Sequence, residues 1–138
     1  MTIRRSVTAA ACLLMAAAGF ARAATLYECD LRTRIHNGWV SPKMAFVFED
    51  DGRAKVIDGI TLAFLDGSAE AKVTRRGDNL RINWTVANAR DDAGNYIPTF
   101  RYLANLNTAT RAVSVVAKPA AYPQRWSARG SCKIRDKR

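Results

Sequence analysis

The stretch Leu80–Val86, "LRINWTV", decides the fold. Leu80, Ile82, Trp84 and Val86 alternate with Arg81, Asn83 and Thr85. Strict apolar/polar alternation places successive side chains on opposite faces of an extended chain, so one face is buried and the other is wet. Working outward, the same period recurs almost throughout. Upstream, Ala69, Ala71 and Val73 share a face, as do Met44, Phe46 and Phe48, and Tyr27, Cys29, Leu31 and Ile35. Downstream, Phe100, Tyr102, Ala104 and Leu106 alternate, then Val113 and Val115, then Trp126, Ala128, Gly130, Cys132 and Ile134. Turn sequences separate these runs: Asp-Gly at 51–52 and 66–67, "RRGDN" at 75–79 and "NTAT" at 107–110.

"AKVIDGITLAF" (54–64) admits two readings. Asp58-Gly59 is either a tight hairpin turn or a bulge in one long strand. Pro98 sets the start of the following strand near Thr99, after a polar interruption from Ala87 to Tyr96. No window has a persuasive amphipathic helical period. The expected fold class is all-β, with about eight strands in a small antiparallel, calycin-like barrel or in a β-sandwich.

The cysteines add a constraint. Residues 1–23 read as a cleaved secretory signal, with Arg4-Arg5, an apolar run from Val7 to Phe20 and an Ala21-x-Ala23 cleavage site. Cys12 leaves with it. The 115 residues that follow hold two cysteines, Cys29 and Cys132, on the inward faces of the first and last strands. In an oxidising compartment they pair, pinning together two strands that would otherwise be edges. With eight up-and-down strands the first and last run antiparallel, so the bulge reading of Asp58-Gly59 suits closure better. The expected organisation is a leader (1–23), one all-β domain (24–134) and a charged tail (135–138), in a periplasmic or secreted protein of bacterial type. No later segment is long and apolar enough for membrane insertion.

The whole chain has 22 Lys+Arg, 12 Asp+Glu and a formal charge of +10. The leader takes three arginines and no acid with it, leaving a mature charge of +7. Such charge speaks to partners. The expected partner is an anionic envelope component or a protein, with nucleic acid disfavoured.

The chemistry-bearing residues are few. His36 is the only histidine, so no histidine-based metal cluster forms. Asp50-Asp51 and Asp91-Asp92 lack the spacing of a calcium loop and read as turn residues. His36 near Ser41 is the only local nucleophile–base pairing, and no G-x-S-x-G elbow exists. No metal, cofactor or catalytic residue is expected. Trp84 and Trp126 read as core. Trp39 and Tyr122 lie in loops flanked by Gly or Pro, with Arg34, Lys43, Arg125 and Arg129 nearby in sequence. Arg34, Trp39, Lys43, Tyr122 and Arg125 therefore form the expected basic, aromatic binding rim.

Two family resemblances bear on function. Gly38-Trp39 near the first strand resembles the G-x-W motif of lipocalins, one residue shorter in spacing. Tyr27-Glu28-Cys29 at the mature start, with a late second cysteine, resembles the periplasmic inhibitors of C-type lysozyme. Those inhibitors use a Ser-Gly-containing loop, to which "AGNY" (93–96) is a loose counterpart. Neither resemblance transfers a site residue. The expected function is a non-enzymatic binding module for an envelope ligand, polyanion or protein. The alternatives are a periplasmic inhibitor of a lysozyme-like hydrolase and a carboxylate-based hydrolase.

Overall fold

Alternating strands with one apolar face must bury that face, and here they do so by closing on themselves. The computed structural model describes residues 24–34 and 38–136. The expected leader with Cys12, residues 35–37 with Ile35 and His36, and the last two residues of the expected tail lie outside them. The described strands are β1 (Thr25–Thr33), β2 (Lys43–Phe48), β3 (Ala54–Asp58), β4 (Ala69–Arg76), β5 (Asn79–Arg90), β6 (Tyr96–Asn107), β7 (Ala112–Pro119) and β8 (Trp126–Asp136). Each pairs antiparallel with the next, and β8 returns to β1 to close an eight-stranded barrel. Between barrel and sandwich, the barrel is what forms. In the closing ladder Cys29 stands directly opposite Cys132, and the two are joined by a disulfide. That bond fits an oxidising compartment.

An eight-stranded barrel is just wide enough for side chains to fill its interior. Phe46, Ile82, Phe100, Leu106, Val56 and Val115 are fully buried there. Across the long β5–β6 hairpin Ile82 sits opposite the small Ala104, while Leu80 faces Leu106 and Trp84 faces Tyr102. Trp84 stacks on Tyr102 at 5.1 Å between ring centroids, and Phe46 meets Trp84 edge-on at 5.9 Å. Many outward positions are polar or charged, among them Glu28, Asp30 and Arg32 on β1 and Arg81, Asn83 and Thr85 on β5, with apolar exceptions such as Leu103 facing Val116. This is the inverse of a lipid-facing barrel, which is apolar outside. No helix among the described residues is long and apolar enough to cross a membrane.

Three local expectations are corrected. Asp58-Gly59 is neither hairpin nor bulge: it starts a short helix, α1 (Gly59–Phe64), between β3 and β4. Asp58 is the N-cap, accepting from the Thr61 amide at 2.7 Å, while the Thr61 hydroxyl accepts from the Asp58 amide at 2.9 Å. This reciprocal capping box satisfies otherwise orphaned donors. Six residues are too few to display a helical period, so the pattern gave no signal. Second, β6 begins at Tyr96, ahead of Pro98. Pro98 lies opposite Asn88, whose φ of 59° breaks the ladder locally, so a missing N–H costs nothing there. Past that kink the alternation changes phase and Ala89 turns inward. Third, β8 continues to Asp136, so Arg135, read as the first tail residue, pairs with Glu28 at 3.0 Å.

Capping leaves Asp58 only 4% exposed, with Oδ2 lacking a hydrogen-bond partner. Burial pushes its carboxyl above the ordinary carboxylate value, while Thr61 and Ser41 pull the other way. A carboxyl whose pKa is higher folded than unfolded contributes most to stability below its unfolded value, near 3.8, and loses that contribution as pH rises through the folded value. Asp58→Asn keeps an oxygen for the Thr61 amide and removes the charge. Its thermal midpoint should exceed wild type at pH 7, with the gap closing towards pH 4. Asp58→Ala loses the cap and should cost about 1 kcal/mol even at pH 4. Thermal unfolding of both variants from pH 4 to 8 checks this, and a pH-independent Asp58→Asn gap would refute it.

Candidate functional site

Strand direction fixes which loops meet. The loop between β1 and β2, helix α1, the loop between β5 and β6, and the loop between β7 and β8 share one end of the barrel. Every residue of the expected rim belongs to this end, but the five do not form one surface.

Trp39 turns inward. It stacks on Phe100 at 4.3 Å and lies 6.0 Å from Phe64 of α1, while its carbonyl accepts from the Tyr102 hydroxyl at 2.8 Å. Burial, and then the charge of Asp58, push the Tyr102 phenol well above its ordinary pKa, so it stays a donor. Trp39 thus plugs the barrel end. Lys43 is on the outer face of β2, where its ammonium meets Asp30 at 2.9 Å. The pair raises the Lys43 pKa and lowers that of Asp30. Lys43 is neutralised locally and lines neither of the two arginine clefts below, although its partner Asp30 borders an adjoining cleft with Arg32, Arg34 and Arg129.

Arg34 and Arg125 do converge. Together with Arg32, Arg129 and part of Trp126 they line a cleft of about 520 Å3 where β1 meets β8. Arg32 and Arg129 are directly opposed in the β1–β8 register. Tyr122, 55% exposed, lies in a second cleft of about 350 Å3 with Arg101, Lys118 and, again, Arg125. Arg101 and Lys118 are also directly opposed, across β6 and β7. Like charges facing each other across a ladder destabilise it by a few tenths of a kcal/mol or more.

No acid lines either cleft. Among the described residues, Arg32, Arg34, Arg101, Lys118, Arg125 and Arg129 make no ion pair. Four acids are engaged with other cations: Asp30 with Lys43, Glu49 with Arg53 and Lys55, Asp51 with Arg53, and Glu28 with Arg135. The sequence held a signal for this asymmetry. Residues 93–135 contain no Asp or Glu. Those residues supply β6, β7 and most of β8, so one side of the barrel is basic. Arg32, Arg101 and Lys118 were missed because the residues that oppose or approach them lie far away in the chain.

The paired aspartates act as turn residues. Asp51 accepts from the Arg53 amide at 3.0 Å, and Asp91 accepts from the Asn95 amide at 2.7 Å and side chain at 2.9 Å. These bonds lower both carboxyl pKa values. Among the described residues, no group of three or more His, Cys, Asp or Glu is placed to hold a metal. His36 lies outside them. Comparisons of the chain with family models, curated proteins and solved structures return no match.

Proposed function

We propose that the protein is an exported, non-enzymatic binding module for an anionic ligand, held at the arginine-lined cleft where β1 meets β8. One observation carries the reading: Arg32, Arg34, Arg125 and Arg129 surround a single cleft that no acid lines. Guanidinium groups offer paired donors that match phosphate, sulfate and carboxylate oxygens. Arg32 and Arg129 project from neighbouring strands beside the disulfide, so their backbones are fixed before binding. The interior is packed with aromatic and aliphatic side chains, which favours an outer-surface site over a hollow carrier. The absence of enzymatic activity is inferred from the acids nearest the chemistry: Asp30, Asp91 and Asp58 are held in an ion pair, a turn and a helix cap, and no acid lines the arginine cleft. Periplasmic or secreted residence rests on the leader sequence and the disulfide.

Calorimetric titration with inorganic tripolyphosphate at low salt tests the site. Arg129→Ala and Arg125→Ala should each weaken binding about tenfold or more, the effect of losing one hydrogen bond to a charged group at about 1.5 kcal/mol or more. Binding should also weaken as salt rises. Lys72→Ala, an exposed cation on β4, serves as the control. If all three variants bind alike, or the wild type does not bind, the cleft is not an anion site.

A further inference from the structure

Arg125 belongs to both clefts. The two are therefore neighbouring segments of one basic track. It begins at the opposed pair Arg32 and Arg129, follows β8 back to Arg125, and crosses to the opposed pair Lys118 and Arg101 on β7 and β6. Arg125 and Lys118 lie just beyond Ala117↔Trp126, the last β7–β8 pair, which places them at the same height on the barrel. With about 3.3 Å per residue along a strand and 4.8 Å between strands, the track is about 20–25 Å long. A single small anion would engage only one of its ends.

We infer that the ligand is a linear polyanion that spans both clefts, with Arg125 at the junction. The inference rests on the anion-binding reading proposed above and adds to it the length and shape of the ligand. Three observations carry it: the shared arginine, the second like-charge pair with no acid lining its cleft, and Tyr122 exposed within that cleft. The chemical class is a flexible chain bearing repeated phosphate, sulfate or carboxylate groups. Nucleic acid fits less well. Single-strand binding uses successive aromatic platforms for the bases. Here Tyr122 is the one strongly exposed aromatic on the track, since Trp39 is stacked into the barrel end and Trp126 is packed near Phe100 at 5.9 Å.

Linking two weak sites through one chain raises affinity without any new kind of contact. Long-chain inorganic polyphosphate should therefore bind at least about 100-fold more tightly than tripolyphosphate, with a steeper salt dependence. The double variant Arg101→Ala/Lys118→Ala should remove most of that advantage while leaving tripolyphosphate affinity within about twofold. Arg125→Ala should weaken both probes, and the long chain more. Thermal midpoints within a few degrees of wild type would show that these exposed substitutions leave the fold intact. Equal affinity for short and long chains would overturn the track while leaving the first cleft as an anion site. An unchanged long-chain affinity in Arg101→Ala/Lys118→Ala would overturn it as well. Tighter binding of an oligothymidylate with the same number of phosphates would reassign the ligand to single-stranded nucleic acid. Failure of tripolyphosphate to bind at all would instead count against the anion reading itself.

Discussion

Replacing Cys29 and Cys132 together with alanine should lower the thermal midpoint by about 10–20 °C, and a reductant should do the same to the wild type. The bridge links residues 103 positions apart. In the chain-entropy account, cross-linking a loop of about 100 residues raises the free energy of the unfolded chain by about 4.7 kcal/mol, and native disulfides of small secreted domains are typically worth about 2–5 kcal/mol. A domain of this size shifts by a few degrees per kcal/mol. The β1–β8 ladder runs from Thr25↔Asp136 to Thr33↔Ala128, so the seam is expected to stay paired without the bridge. The stabilisation therefore acts mainly on the unfolded state. The reduced protein should show the far-ultraviolet dichroism of the oxidised form at 20 °C and differ in where it melts. Identical midpoints with and without reductant would rule out a stabilising bridge.

Gly130→Ala should be the most damaging single methyl in the protein, costing about 3 kcal/mol or more. Gly130 lies opposite Leu31 in the closing ladder, two residues before Cys132. A Cβ added there would overlap the Asp30 carbonyl oxygen, and would stand 2.8 Å from the Asp30 carbonyl carbon and 2.9 Å from the Leu31 Cα. These are backbone atoms held by the ladder, and they cannot swing aside as a side-chain tip can. The methyl must either push β1 off β8 or force a bulge beside the disulfide. A strand-interior glycine is the usual sign of such close backbone approach. Gly59→Ala is the control. Its Cβ would meet only the Ser41 Oγ, at 3.4 Å, at the first position of a helix. Urea unfolding of the two variants should separate them by at least about 2 kcal/mol. Equal stabilities would show that the seam can relax around the added methyl.

Much of the fold was legible because a barrel strand repeats its environment every two residues. "LRINWTV" announces its inward face without knowledge of its neighbours, and the two cysteines fall on inward faces at opposite ends of the domain. Legibility failed where local geometry departs from that period. The Asp58–Thr61 capping box occupies four residues, and its aspartate looks like any turn aspartate until burial and the Thr61 bonds are seen. Pro98 looks like a strand breaker until Asn88, ten residues earlier, is found opposite it in a left-handed conformation. Trp39 looks like a rim aromatic because its neighbours in sequence are Gly38 and Val40. Its partners in space, Phe64 and Phe100, make it a plug.

The sequence by itself determined that this chain folds as alternating strands, that Cys29 and Cys132 fall on inward faces, and that it is strongly basic. These properties are additive or local: each residue's polarity and parity can be read without its partners. Only the tertiary structure decided that the sheet closes as a barrel, that Lys43 is cancelled by Asp30, and that Arg32, Arg34, Arg125 and Arg129 ring one cleft. Closure brings β1 against β8 across nearly the whole length of the domain. An electrostatic field depends on distances in space, and sequence separation carries almost no information about those distances once a barrel has closed.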